Sequence, residues 1–341
     1  MVRKLGDIKD KPLVSIVIVA YNVSDFIEKC VQSAIEQSYN HIEIIVVDDG
    51  STDGTSAILD ELSMLDTRVN VVHQVNNGVS VARNSGIELA KGEFISFIDG
   101  DDYIMSDFIE YMLSIYKDTK ADLCISLNNF TTNNFNQIKK DNIYVLSSEE
   151  AVAELLFPRV RIGVWNKIWR KDFIDKHGFR FLPGQVTGEG LEFMTNAAQY
   201  ANRVGVGKRK VYCYRLNNIN SATTKPNVEK HGIGSLKILD RIENNIDMSS
   251  PLIKNAMYYQ RWSTASYALR HIIDADEQDK YSELYKELHE YIRRNSSRMF
   301  AIKQLPLRTK VVAILRLISP SLTTKISLFL RNRHIRKTSI K

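Results

Sequence analysis

The sequence is poor in cysteine: Cys30, Cys124 and Cys213 are the only three in 341 residues, far apart and in no CxxC or metal-ligand spacing. Any pairing leaves one over, which points to a reducing compartment rather than a disulfide framework. Apolar runs such as 311–315 fall far short of the ~20 residues that a membrane-spanning helix needs. Residues 1–12 are charged and hold no apolar stretch, so no secretory signal is expected there. The patterns GxxxxGK(S/T) and, after the first strand, GxGxxG are missing, which argues against a P-loop or dinucleotide site. Acid is missing from one stretch: residues 302–341 hold ten Lys or Arg and no Asp or Glu. Removing those ten charges from the net +6 leaves residues 1–301 at −4. A basic tail on an acidic body excludes a nucleic-acid binder with a basic body and suits contact with an anionic surface.

The rest has ordinary globular composition, 44% hydrophobic and 25% charged. Apolar, β-branched runs at 13–20, 42–47, 69–73 and 93–98 read as buried strands. Between them, 25–38, 52–65 and 79–90 carry helical spacing, with Ser, Thr and Asp available to cap. Such alternation predicts an α/β fold with a mostly parallel sheet flanked by helices, whose ligands bind at the carboxyl ends of the strands. The acidic and polar clusters fall at those ends. Residues 123–214 read as mixed, with strands near 123–127 and 211–214 and a helix over 147–156. Residues 228–300 read as a helical C-terminal region and leave room for self-association.

Asp99-Gly-Asp-Asp102 places three carboxylates within four residues. Like charges so close repel, and a hard divalent cation with open positions for a diphosphate resolves the conflict. A solvated Asp-Gly turn is the plainer alternative. Asp48-Asp-Gly-Ser-Thr-Asp-Gly54 is as well explained by turns and caps as by a carboxylate that reads a base or ribose. Arg83 is one of the few charges in an apolar helix. It either pairs with a sheet-edge carboxylate such as Asp99 or orients a nucleotide.

Four motifs stand in order between residues 14 and 102: Val14-Ser-Ile-Val-Ile-Val-Ala-Tyr-Asn22, Glu43-Ile-Ile-Val-Val-Asp-Asp-Gly-Ser-Thr-Asp53, Asn76-Asn-Gly-Val-Ser-Val-Ala-Arg-Asn-Ser-Gly86 and Phe97-Ile-Asp-Gly-Asp-Asp102. Together they resemble the family 2 glycosyltransferases of the GT-A fold, of the bacterial surface-polysaccharide type. The resemblance covers residues 12–225, more loosely after 125. It implies an inverting hexosyl- or N-acetylhexosaminyl-transferase that uses a nucleoside-diphosphate sugar, usually UDP-linked, with Mn2+ or Mg2+. By position, Ala20, Tyr21 and Asp48 hold the base, and Asn76 and Arg83 line the nucleotide pocket. Asp99 faces ribose or donor sugar, and Asp101, beside Asp99, binds the metal. Val164-Trp-Asn-Lys-Ile168 makes Trp165 and Lys167 acceptor-side candidates. Tyr214-Arg215 with Ser221 resembles the late segment that closes over the diphosphate.

One position departs from the family. It shows Gly-Glu-Asp with the Asp as base, whereas Thr187-Gly-Glu-Gly-Leu-Glu-Phe193 has Gly190 there. Glu189 is then the expected base and Glu192 the reserve. Gly190 also leaves open a catalytically silent nucleotide-sugar-binding subunit. A nucleotidyltransferase would want a Gly-rich basic loop after the first strand, which residues 20–24 lack. A polybasic membrane adaptor would not need the acidic cluster.

These readings divide the chain into a GT-A domain over 1–227, a helical region over 228–301 and a basic amphipathic tail over 302–341. The expected partners are a UDP-sugar, a glycan or lipid-linked acceptor and an anionic membrane. The expected location is the cytoplasm, peripheral to the inner face of the cell membrane.

Overall fold

The computed structural model describes residues 11–185, 187–216, 218 and 226–338, with side chains as far as Arg331. Two compact units result. One holds the chain up to Ala151, then Arg161–Gln185, then Glu189 to 218. The other holds Val152–Val160, Thr187, Gly188 and the helices from residue 226 onward.

The first unit opens with β1 (Val14–Ala20), α1 (Ser24–Ile35), β2 (Ile42–Asp48), α2 (Thr55–Leu65), β3 (Val69–His73), α3 (Val79–Leu89) and β4 (Phe94–Asp99). All seven residues of β1 are buried, as its continuous apolar run requires of a strand covered on both faces. α2 begins at Thr55, after Gly54 in the left-handed region that glycine tolerates, and Asp53 accepts from the Thr55 backbone N–H at 3.1 Å in the turn before it. β5 (Tyr103–Ile104), α4 (Phe108–Thr119), β6 (Leu123–Ser126), β7 (Phe130–Thr131) and β8 (Tyr144–Leu146) follow. After α5 (Ser148–Leu156) come β9 (Lys167–Arg170), α6 (Lys171–His177), α7 (Glu189–Tyr200), β10 (Val204–Gly207) and β11 (Tyr212–Tyr214).

The large sheet runs β3-β2-β1-β4-β9-β6-β10-β8, and a small sheet runs β5-β11-β7. β1 pairs in parallel with both β2 and β4, so the strand order reverses at β1/β4. The alternation of strands and helices does not foretell β9, which lies antiparallel between β4 and β6. It is four residues long and buries both Lys167 and Arg170.

In the second unit a π-helical turn (Val228–Ile233) leads into α8 (Gly234–Asn245), α9 (Pro251–Asp274), α10 (Ser282–Ser296), α11 (Leu307–Ile318) and α12 (Pro320–Thr338). Ser250 caps α9 by accepting from the N–H groups of Leu252 and Ile253, with Pro251 at the first helical position. α9 packs against α8, α10 and α12. Its Trp262 is buried, with the indole N–H on Ser296 at 3.0 Å. Among the described residues no helix is long and apolar enough to cross a membrane.

Candidate active site

The strand register brings the first three candidates together. Ala20 lies opposite Asp48 across β1/β2, and Val19 lies opposite Asp99 across β1/β4. The tips of three parallel strands therefore meet where the order reverses, the crevice in which open α/β sheets bind ligands. The chain then turns sharply at Gly100, whose N–H donates to Val19 O at 2.9 Å. A Cβ at Gly100 would sit 2.8 Å from that carbonyl, so only glycine permits Asp99 and Asp101 to flank this bend.

On the nucleotide side, Asp48 is buried and well bonded. It accepts from Ser51 N at 3.1 Å, Ser56 Oγ at 2.5 Å and His73 Nδ1 at 2.8 Å. Burial alone would raise its pKa, but the bonds from Ser51, Ser56 and His73 outweigh it and hold the carboxyl below its ordinary range. Its neighbour Asp49, not singled out from the sequence, accepts from Gln74 Nε2 at 2.7 Å, Asn77 N at 3.0 Å and Gly78 N at 2.8 Å. It thereby fixes the entry to α3. Tyr21 and Asn76 are exposed beside these loops. Asn22 ties the loop after β1 to the loop after β2 by accepting from Thr52 N at 2.7 Å and donating its own N–H to Ser51 Oγ at 3.0 Å.

The carboxylate cluster is crowded. Burial, then the charges of Asp99 and Asp101, pushes Asp102 up to about 8. Burial and then Asp99 also raise Asp101. Asp102 is locked between β4 and β11, accepting from Tyr212 OH at 2.7 Å and Arg215 N at 2.8 Å. Asp101, part-exposed, accepts from Asn218 Nδ2 at 2.8 Å. The Arg215 guanidinium lies 5.1 Å from the rings of both Phe26 and Tyr103. Its Nε and Nη2 have no hydrogen-bond partner among the described residues. A buried guanidinium with donors to spare beside three acids suits a bound phosphate. Among the described residues no three His, Cys, Asp or Glu side chains converge as a metal site. The arrangement fits an ion held by one or two carboxylates that takes further ligands from a diphosphate.

Arg83 joins this cluster to the expected base. Its Nη2 donates to Asp99 at 2.9 Å and its Nη1 to Glu189 at 3.0 Å. Burial opposes its charge, but Asp99 and Glu189 outweigh burial and raise its pKa. Glu189 opens α7 and is partly exposed, whereas Glu192, one turn on, is buried. Gly190 has a packing reason: a Cβ there would lie 2.7 Å from Ile162 O. An aspartate cannot occupy this backbone without displacing the 161–165 loop.

That loop carries Trp165 and leads into Lys167 at the start of β9, the two acceptor-side candidates. Trp165 stacks on Tyr212 and Tyr214, with centroids 4.9 and 5.5 Å away. Lys167 is buried, and its Nζ donates to the carbonyls of Arg161 at 3.0 Å, Gly163 at 2.5 Å and Trp165 at 3.2 Å. Burial, then Arg161, pulls its pKa down to about 7. Lys167 thus closes the loop rather than facing an acceptor. Ser221 lies outside the described residues. Sequence reasoning passed over Asp49, Asp102, Tyr212 and Asn218. Both aspartates lie inside the ordered motifs, but their partners come from segments 25 to 113 residues away.

Residues 15–181 match the family described as Glycosyl transferase family 2. Over 213 residues the chain is 35% identical to EpsH of Bacillus subtilis, which takes in 61% of this chain and 62% of EpsH. The matched stretch is thus less than two thirds of that relative. The structure superimposes on S. aureus TarS, solved with UDP-GlcNAc, with a TM-score of 0.66 over 91% of this chain and 88% of that one, at 17% identity. It superimposes on the mannosyltransferase PcManGT of Pyrobaculum calidifontis, solved with GDP-Man and Mn2+, with a TM-score of 0.55 over 89% and 92%, at 14% identity. The large sheet flanked by helices is of the GT-A type. Through residues 15–181 the chain belongs to glycosyltransferase family 2.

Proposed function

We propose that this chain is an inverting, metal-dependent glycosyltransferase, moving a hexosyl or N-acetylhexosaminyl group from a UDP-linked donor to a glycan or lipid-linked acceptor in surface-polysaccharide synthesis. The observation that carries the reading is the Arg83 bridge, in which one guanidinium holds both Asp99 at the sheet edge and Glu189 at the start of α7. The UDP-GlcNAc complex of TarS and the GDP-Man complex of PcManGT support a nucleotide-sugar donor.

In this reading Ala20, Tyr21, Asp48 and Asn76 receive the base, with Arg83 lining the pocket and Asp99 facing ribose or sugar. Asp101, with Asp99 beside it, would hold Mn2+ or Mg2+. A bound divalent ion supplies positive charge to the leaving diphosphate. Arg215 adds its unpartnered donors on the same side. Glu189 takes the proton from the acceptor hydroxyl as that oxygen bonds to C1 on the face opposite the diphosphate, and the C1–O bond to the diphosphate breaks. Trp165, with the loop that Lys167 closes, borders the acceptor side. The activity sits in the cytoplasm at the inner face of the cell membrane.

Gly190 supports a second reading, a catalytically silent nucleotide-sugar-binding subunit. One assay separates the two: purified protein, Mn2+ and a panel of UDP-sugars, read as UDP release and as a donor-induced rise in Tm. The expected result is release that EDTA abolishes and that Asp101→Asn lowers on the order of 10²-fold or more. Binding without release supports the silent subunit, and neither binding nor release overturns both.

A further inference from the structure

The two C-terminal helices leave lines of apolar side chains in solvent, and α11 does so along a whole face. On α11, Leu307, Val311, Ile314 and Ile318 recur at intervals of four, three and four, one line along a helix. That line faces solvent, with Leu307 76% and Ile318 73% exposed. The opposite side, with Ala313, is buried, and Arg316 lies inward with its guanidinium 4.5 Å from the Trp262 ring. On α12, Leu322, Ile326 and Phe329 form a second exposed line, with Phe329 66% exposed. There the buried positions include Thr323 and Thr324, whose hydroxyls donate back to the carbonyls of Ser319 and Pro320. Beside Leu328, these helices turn an arginine and two threonines inward while leaving leucine, isoleucine and phenylalanine in solvent, so apolar side chains stand ready for something outside the unit.

We infer that α11 and α12 together form a docking face for an anionic lipid surface, lying in the headgroup plane with these two lines inserted. Charge complementarity selects this occupant. Arg308 and Lys310 sit on either side of the α11 line, Lys325 borders the α12 line, and Lys303 is exposed just before them. No acid occurs anywhere in 302–341. A second copy would set these cations against one another, whereas anionic headgroups neutralise them. Arg331 is engaged with Asp274, so its charge is already partnered. A 12-residue helix spans only about 18 Å, too short to cross and suited to lying flat. This deepens the membrane placement proposed above: the helical unit, not the sheet edge, brings the enzyme to a lipid-linked acceptor.

The test uses the full chain and co-sedimentation with phosphatidylcholine vesicles, with or without phosphatidylglycerol. The expected result is binding that requires phosphatidylglycerol and weakens as salt rises. Leu307→Ser/Val311→Ser/Ile314→Ser/Ile318→Ser should lower binding at least tenfold, because all four side chains are already exposed and their loss leaves no cavity. UDP release in the absence of vesicles should be equal for parent and variant, which keeps this test separate from that of the transferase reading. Undiminished vesicle binding by the variant overturns the inference. So does a parent that ignores vesicles and instead forms a dimer which the variant abolishes in analytical ultracentrifugation.

Discussion

His73 sets both ring nitrogens against carboxylates, with Nδ1 2.8 Å from Asp48 and Nε2 3.1 Å from Asp60. A neutral imidazole has one N–H to give, so two such acceptors call for the imidazolium. The bond to Asp48, then that to Asp60, holds the His73 pKa above its ordinary 6.5. Its stabilisation is therefore complete below 6.5 and is lost as pH rises through the raised folded value. Asp48 runs the other way: its folded pKa is lowered, so its contribution is present above 3.8 and lost as pH falls through the lower value. His73 is half exposed, which keeps its effect below about 1 kcal/mol. His73→Gln should flatten the decline of Tm above pH 6.5, while Ser51 and Ser56 keep part of the acid limb that Asp48 contributes; parallel Tm–pH curves for parent and variant refute the linkage. At the other end of the site, Glu189→Gln should cut turnover on the order of 10²–10⁴-fold while a donor-induced Tm shift persists. If Glu192→Gln does this instead, the base is the buried residue one turn further on.

At the scale of elements, the interesting piece is the 161–167 loop with β9. Three carbonyls surround the Lys167 Nζ, so a single buried side chain shapes the loop. Lys167→Met keeps most of the apolar stem and removes the donor. It should cost about 1–3 kcal/mol, seen as a lower urea midpoint; an unchanged midpoint would show that the loop holds itself. The antiparallel β9 was hidden from sequence reading for a related reason. Lys167 and Arg170 look like surface residues, yet Arg170 is neutralised by Asp122 and Asp172, 48 and 2 residues away. By contrast, β1, β2 and β4 were legible because strands buried on both faces must be apolar throughout.

For the whole molecule, function depends on where the strand order reverses. β2 and β3 lie to one side of β1 and β4 to the other. This puts Asp48 and Asp99, 51 residues apart in the chain, one strand to either side of β1. The small sheet then brings Tyr212 and Arg215 to Asp102, and α7 brings Glu189 to Arg83. The helical unit contributes none of these groups and instead presents the apolar lines of α11 and α12.

The sequence by itself determined the α/β alternation, the acidic clusters at strand ends, the basic tail and the family, because each is written in local periodicity or in short ordered motifs. The sequence allows the pairing of Arg83 with Asp99 as one of two readings, and the bond of 2.9 Å realises it. Only tertiary structure decided that the same arginine also holds Glu189, that Lys167 is a loop bolt, and that Gly190 is glycine because Ile162 O stands 2.7 Å from where a Cβ would be. It also decided that the apolar side of the tail helices faces outward. Helical spacing says which residues share a face, but packing chooses which face is buried.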